Sequence, residues 1–258
     1  MLYHLFQYLD RSYDLPGAGM FQYISFRSAL AVILALLITI TFGQGIIRFM
    51  QRRQIGEEIR NLGLEGQLQK RGTPTMGGIM FILGAGVTVF ILGWSFMLEG
   101  VFWHLYVYLF ALIFGLIGFV DDYRKVRQHQ NEGLTARQKF ILQLAAAVVF
   151  LVLMRYEGLL TNDLYIPFLN MSFTINWIVY LIFAAFVIVG CVNAVNLTDG
   201  IDGLATGVTL PVMLFFTLVS MTAKQWGLAT FPATLVGALG GFLFYNFYPA
   251  KTFMGDTG

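Results

Sequence analysis

The chain has 258 residues, of which 57% are hydrophobic and only 12% charged, with a net charge of +2. Soluble domains carry about 25% charged residues, so composition excludes an ordinary water-soluble fold and makes a bilayer the expected solvent. A charge of +2 is too small to point to nucleic acid, and the single cysteine, Cys191, rules out an intramolecular disulfide.

From the N-terminus, Leu2–Leu9 is expected to lie along the membrane interface. The first twenty residues carry Asp10, Arg11 and Asp14 and lack the order of a cleaved signal peptide, so the first span is expected to stay as an anchor. Windows free of Asp, Glu, Lys and Arg then follow at Ser28–Ile47, Thr73–Leu98, Val101–Val120, Phe140–Met154, Leu164–Thr198, Gly203–Ala223 and Gln225–Ala250. Each is read as a helix, because backbone in hydrocarbon must satisfy its own hydrogen bonds, and a span needs about 20 residues. The fourth window is short, with Lys139 and Arg155 placed at its ends to snorkel. The fifth is longer than one span needs, so its helix is expected to begin near Phe173. The fold class expected is all-α: a polytopic transmembrane helix bundle, one domain over residues 1–258, with no repeat.

Lys and Arg divide unevenly between the loops. Arg48, Arg52, Arg53, Arg60, Lys70, Arg71, Arg124, Lys125, Arg127, Arg137, Lys139 and Lys251 fall on one side, and only Arg11, Arg27, Arg155 and Lys224 on the other. The positive-inside rule puts the first set in the cytoplasm and the N-terminus outside. Four polar clusters then share the cytoplasmic face: Arg71–Gly78, Asp121–Lys125, Asn193–Gly203 and Phe253–Gly258.

Asp121 and Asp122 follow an apolar helix directly. Adjacent carboxylates repel one another unless a cation intervenes, and Lys125 shares their helical face. Two acids and a lysine are suited to a magnesium–phosphate site, although a solvated helix end explains the pair as well. Asn193, Asn196, Asp199 and Asp202 recur every three residues, along a helical stripe or through a tight helix-to-helix bend. Acids beside apolar helices cost about 2.5–3.5 kcal/mol each at mid-bilayer, so they imply a polar cavity or a surface position. Asp256 adds a further carboxylate, and Phe253 is able to stack on a base. Pro74 with the paired glycines Gly77 and Gly78 reads as helix entry or close packing. His4, His104 and His129 have no ligand spacing and are assigned no chemistry. The residues alone therefore point to phosphoryl chemistry at a membrane surface, without naming a substrate.

In order and spacing, RGTPTMGGIM, FVDDYRK, CVNAVNLTDGIDGL and NFYPAKTFMGDTG resemble the phospho-N-acetylmuramoyl-pentapeptide transferase family, from about Arg27 to Gly258. The resemblance implies a magnesium-dependent enzyme of the bacterial cytoplasmic membrane. Its reaction turns UDP-N-acetylmuramoyl-pentapeptide and undecaprenyl phosphate into lipid I and UMP, the first membrane step of peptidoglycan synthesis. It implies Asp256 as the principal magnesium ligand, Asp121 and Asp122 as the essential acidic pair, and Lys70, Lys125 and Lys139 as phosphate-contacting or charge-stabilising lysines. Asn196, Asp199 and Asp202 resemble uridine-side polar groups, Phe253 the base-stacking aromatic, and Asn246 a further polar residue of the site. The family pattern continues past the Gly255–Asp256 motif, so the domain is expected to be incomplete at its C-terminus, and an inactive remnant is an alternative. Others are a sibling transferase using UDP-N-acetylglucosamine and, from a different class, a transporter with Asp199 and Asp202 as coupling sites. Transporter sites lie near the midplane, whereas these acids sit at the ends of spans. The bilayer is an expected partner, nucleic acid is not, and a homodimer is left open.

Overall fold

The computed structural model describes residues 2–13, 16–53, 72–128, 133–166 and 168–258. In chain order these form α1 (Leu2–Tyr13), a 3-10 turn (Ala18–Gln22), α2 (Ile24–Arg52), α3 (Gly78–Leu98), α4 (Trp103–Gln128), α5 (Ala136–Tyr156), the strands β1 (Asp163–Ile166) and β2 (Met171–Thr174), α6 (Trp177–Thr198), α7 (Leu204–Thr222) and α8 (Trp226–Asn246). Among the described residues seven helices, α2 to α8, are long and apolar enough to cross a membrane. The chain is a multi-pass membrane protein built as an all-α bundle. Two compact units divide it: Met1–Gly133 with Thr198–Gly258, and Leu134–Leu197.

In the first unit α8 is the central element, packing against α2, α3, α4 and α7. Lipid tails are as apolar as leucine, so helix association in a bilayer relies on close backbone approach through small residues. The contact faces meet that need: Ala31 and Ala35 of α2, Ala85 of α3, and Ala229, Ala233 and Ala238 of α8 are fully buried. Larger side chains, Met80, Phe81, Leu239, Phe242 and Tyr245, fill the core beside them. Two tyrosine hydroxyls there find backbone acceptors, as groups cut off from water favour. The Tyr245 hydroxyl donates to the Ile40 carbonyl at 2.7 Å, joining α8 to α2, and the Tyr108 hydroxyl donates to the Ile82 carbonyl at 3.0 Å, joining α4 to α3.

In the second unit Thr135 and Gln138 form a capping box that starts α5. The buried Gln143 accepts a 2.8 Å hydrogen bond from the Asn193 amide, linking α5 to α6. The expectation that the sixth helix begins near Phe173 is corrected here. Residues 171–174 are a strand, paired antiparallel with β1 in the register Asp163↔Thr174 and Ile166↔Met171. Asn170 turns the chain at a left-handed φ of 50°, and the Tyr165 hydroxyl donates to its side chain at 2.8 Å. The helix starts only where the Asn176 side chain accepts the Ile178 N–H at 2.9 Å, a cap that an apolar count does not register.

Candidate active site

The site lies in the first unit, at the end of the bundle where α4 and α8 finish and α3 and α7 begin. Asp121, Asp122 and Lys125 lie within about one turn of α4, past its apolar stretch, with Lys125 at i+4 and i+3 from the two acids. The Lys125 ammonium lies 2.6 Å from Asp121 Oδ2, 3.9 Å from Asp122 Oδ1 and 2.8 Å from Asp256 Oδ2. One lysine thus gathers three carboxylates, two adjacent in sequence and the third delivered by the segment after α8. Asp121 and Asp122 are each only 3% exposed. Burial of such charges is tolerated when they are paired and hydrogen-bonded, as these are.

The segment that delivers Asp256 is held on both sides. On one side it pairs with the residues leading into α3. Phe253 N–H donates to the Pro74 carbonyl at 2.8 Å, and Gly77 and Gly78 N–H donate to the carbonyls of Phe253 and Met254 at 2.8 and 2.9 Å. The Thr252 hydroxyl also donates to the Pro74 carbonyl, at 3.0 Å. On the other side it lies against α4, where a side chain at Gly118 would collide with the Asp256 carbonyl. Gly118 stands one turn before Asp122, so the helix surface is bare where the segment carrying Asp256 crosses it.

Asn246, 1% exposed at the end of α8, holds the base of this arrangement. Its carbonyl oxygen accepts from the Gly203 N–H and the Thr206 hydroxyl, each at 3.1 Å, and its amide donates to the Thr252 carbonyl at 3.0 Å. Asp202 Oδ2 accepts the Ala250 N–H at 3.1 Å. The bend between α6 and α7 is thereby tied to the segment that carries Asp256.

Of the residues singled out in the sequence, Asp121, Asp122, Lys125 and Asp256 are brought into direct contact, and Asn246 and Asp202 support them through the backbone. Phe253 is half-buried within the segment paired to the residues leading into α3, and Asp199 is half-buried in the bend. The alternative between a helical stripe and a bend resolves as both: Asn193 and Asn196 ride on α6, while Asp199 and Asp202 fall in the turn between α6 and α7. Asn196 and Lys139 belong to the second unit, near the end of α6 and on the first turn of α5. Lys70 lies outside the described residues. Sequence reasoning missed Gly118 and Thr257. The first could have been found from its spacing, since Gly115, Gly118 and Asp122 follow one another at helical intervals. The second carries no such signal.

The three aspartates offer ligand oxygens that all lie within 4.8 Å of one another. Carboxylate oxygen is the ligand type that hard divalent cations take. The donor set therefore fits such an ion, with Asp256, the most accessible of the three side chains at 15%, facing outward.

Comparison with known proteins agrees with this geometry. The model for glycosyl transferase family 4 matches residues 104–258, and signature 1 of phospho-N-acetylmuramoyl-pentapeptide-transferase matches residues 70–82. Among curated relatives, the phospho-N-acetylmuramoyl-pentapeptide-transferase of Flavobacterium psychrophilum is 37% identical over 316 aligned positions, taking in 100% of this chain and 76% of its own length. That of Desulfotalea psychrophila is 41% identical over 278 positions, covering 100% and 74%. That of Clostridium acetobutylicum is 42% identical over 230 positions, covering 88% and 70%. The chain spans about three quarters of the length of the first two. With its bundle, its acidic centre and both sequence signatures in agreement, the chain belongs to the phospho-N-acetylmuramoyl-pentapeptide transferases of glycosyl transferase family 4.

Proposed function

We propose that this chain transfers phospho-N-acetylmuramoyl-pentapeptide from its UDP carrier to undecaprenyl phosphate, giving lipid I and UMP. The observation that carries the reading is the convergence of Asp121, Asp122 and Asp256 on Lys125, from α4 and from the far end of the matched region. A phosphate oxygen of the lipid attacks the phosphorus that bears the sugar. The bond from that phosphorus to the bridging oxygen of the diphosphate breaks, and UMP leaves with the electron pair.

Asp256, with Asp121 beside it, is assigned to hold Mg²⁺, which when bound neutralises diphosphate charge and stabilises the leaving UMP. Lys125 keeps the two carboxylates together, and its side chain is 34% exposed, so it also presents positive charge to an incoming phosphate. Lys70 and Lys139 are assigned to the substrate phosphates, and Asn196, Asp199, Asp202 and Phe253 to the uridine side, on the family resemblance. Asn246 acts through the bend and the segment it holds rather than by reaching the nucleotide, because its side-chain oxygen accepts from Gly203 and Thr206 and its amide nitrogen donates to Thr252. The uneven Lys and Arg distribution supports a site on the cytoplasmic face of the cytoplasmic membrane with the N-terminus outside. The mass of the protein in nanodiscs distinguishes a monomer from a homodimer.

The test supplies the chain, in nanodiscs containing undecaprenyl phosphate, with either UDP-N-acetylmuramoyl-pentapeptide or UDP-N-acetylglucosamine. Released UMP and the lipid product are measured with Mg²⁺ or with EDTA. Lipid I and UMP form from the muramoyl substrate in Mg²⁺ only, and Asp256→Asn abolishes both. Transfer from UDP-N-acetylglucosamine alone, or charge movement with no UMP, overturns the reading.

A further inference from the structure

We propose that Asp122 and Thr257 form a latch that fixes the position of the Asp256 carboxylate, making Asp122 a positioning residue and Thr257 its partner. The inference rests on the transferase reading above for its catalytic consequence, though not for its metal-binding one. Asp121 and Asp122 are neighbours with equal burial, yet they face different partners. Asp121 Oδ2 meets the Lys125 ammonium at 2.6 Å. Both oxygens of Asp122 turn to the chain around Asp256. Its Oδ1 accepts the Asp256 N–H at 3.2 Å, and its Oδ2 accepts the Thr257 N–H at 2.9 Å and the Thr257 hydroxyl at 2.6 Å. Lys125 is 3.9 Å from Asp122, beyond hydrogen-bond reach.

Three donors on one carboxylate take up most of its acceptor capacity, and hydrogen bonds to an ionised group are the strong ones. The bonds fall on the backbone of Asp256 and on the residue after it, so they set where the Asp256 side chain begins. Gly255, at a φ of 73°, makes room for this: a side chain there would come within 2.7 Å of Asp122 Oδ2. Thr257 is 3% exposed and its hydroxyl makes the shortest bond to Asp122. Asp121 and Asp256 are then the carboxylates left facing Lys125, and Asp122 works behind them. Residues that orient a metal ligand change affinity or activity by about 10–100-fold when removed.

Thr257→Val keeps the shape and deletes only the hydroxyl donor, while Thr257→Ser keeps the donor and deletes a methyl group. Mn²⁺ binding to the purified chain is followed by electron paramagnetic resonance, beside kcat and KM for UMP release. Thr257→Val is expected to weaken Mn²⁺ binding about tenfold and to lower kcat by a similar factor, with KM for the nucleotide sugar within about twofold. Thr257→Ser is expected to restore both to within about threefold. Asp122→Asn is expected to weaken Mn²⁺ binding, and adding Thr257→Val to it to cost nothing further, because one latch is lost only once. Unchanged Mn²⁺ binding in Thr257→Val, a Ser variant no better than the Val variant, or additive losses in the double variant would each overturn the latch. A parent chain that binds Mn²⁺ and responds to these variants, but releases no UMP, sinks the transferase reading and leaves the latch standing.

Discussion

The two ends of α4 handle buried polar groups in opposite ways. Near its start His104 is fully buried against the Phe96 ring, 6.1 Å between centroids, with neither ring nitrogen hydrogen-bonded among the described residues. Near its end Asp121 and Asp122 are almost as buried, yet Lys125, Asp256 and Thr257 supply their partners. Burial alone therefore does not mark a functional group on this helix. What sets the aspartate end apart, among the described residues, is convergence of partners from distant parts of the chain: Lys125 and Asp256 are 131 residues apart.

The comparison is broken most severely by removing the group on which the acids converge. Lys125→Met leaves three carboxylates without their shared cation, and UMP release is expected to fall at least about a hundredfold. Mn²⁺ binding, by contrast, is expected to tighten, because a competing positive charge is gone. If Mn²⁺ binding weakened together with activity, Lys125 would be holding the fold of the site rather than its charge.

Next in size is Gly118→Ala. The added methyl meets the Asp256 carbonyl, and the segment must move for it to fit. Overpacking of this kind costs about 1–3 kcal/mol, and a displacement of about 1 Å at the reacting groups lowers turnover by up to about a hundredfold. Turnover and the thermal midpoint in detergent are the readouts. Wild-type turnover would show that the segment accommodates the methyl group without moving Asp256.

Asn246→Ala is milder at the chemistry and plainer in stability. It leaves the Gly203 N–H, the Thr206 hydroxyl and the Thr252 carbonyl short of a partner, at about 1–3 kcal/mol for each group that stays buried and unpaired. The thermal midpoint is expected to drop clearly, with activity falling less than in Gly118→Ala. The smallest effect belongs to the other end of α4. His104→Leu replaces an imidazole that makes no hydrogen bond among the described residues, and stability is expected to change by less than about 1.5 kcal/mol with UMP release unaltered. A large loss of activity in His104→Leu would show that the two ends of the helix are coupled.

Much of this was legible before any coordinates. Long charge-free windows imply spanning helices because hydrocarbon leaves the backbone no other partner, and seven such helices are present among the described residues. The pairing of Asp121 and Asp122 with Lys125 follows from helical spacing alone, and the ion pair to Asp121 is found at i,i+4. Local rules reached that far because each concerns residues within a turn or two of one another. They failed at Phe173, where a side-chain cap and a left-handed Asn170 delay the helix to Trp177. Asp256 stood in the sequence as an isolated acid, and nothing local distinguished the roles of Asp121 and Asp122. What separates them is the direction each carboxylate faces, and that depends on a segment returning from the far end of the chain to lie across Gly118. Backbone satisfaction in a bilayer is a local demand that sequence composition determines, whereas the pairing of residues more than a hundred positions apart is decided only when the helices pack.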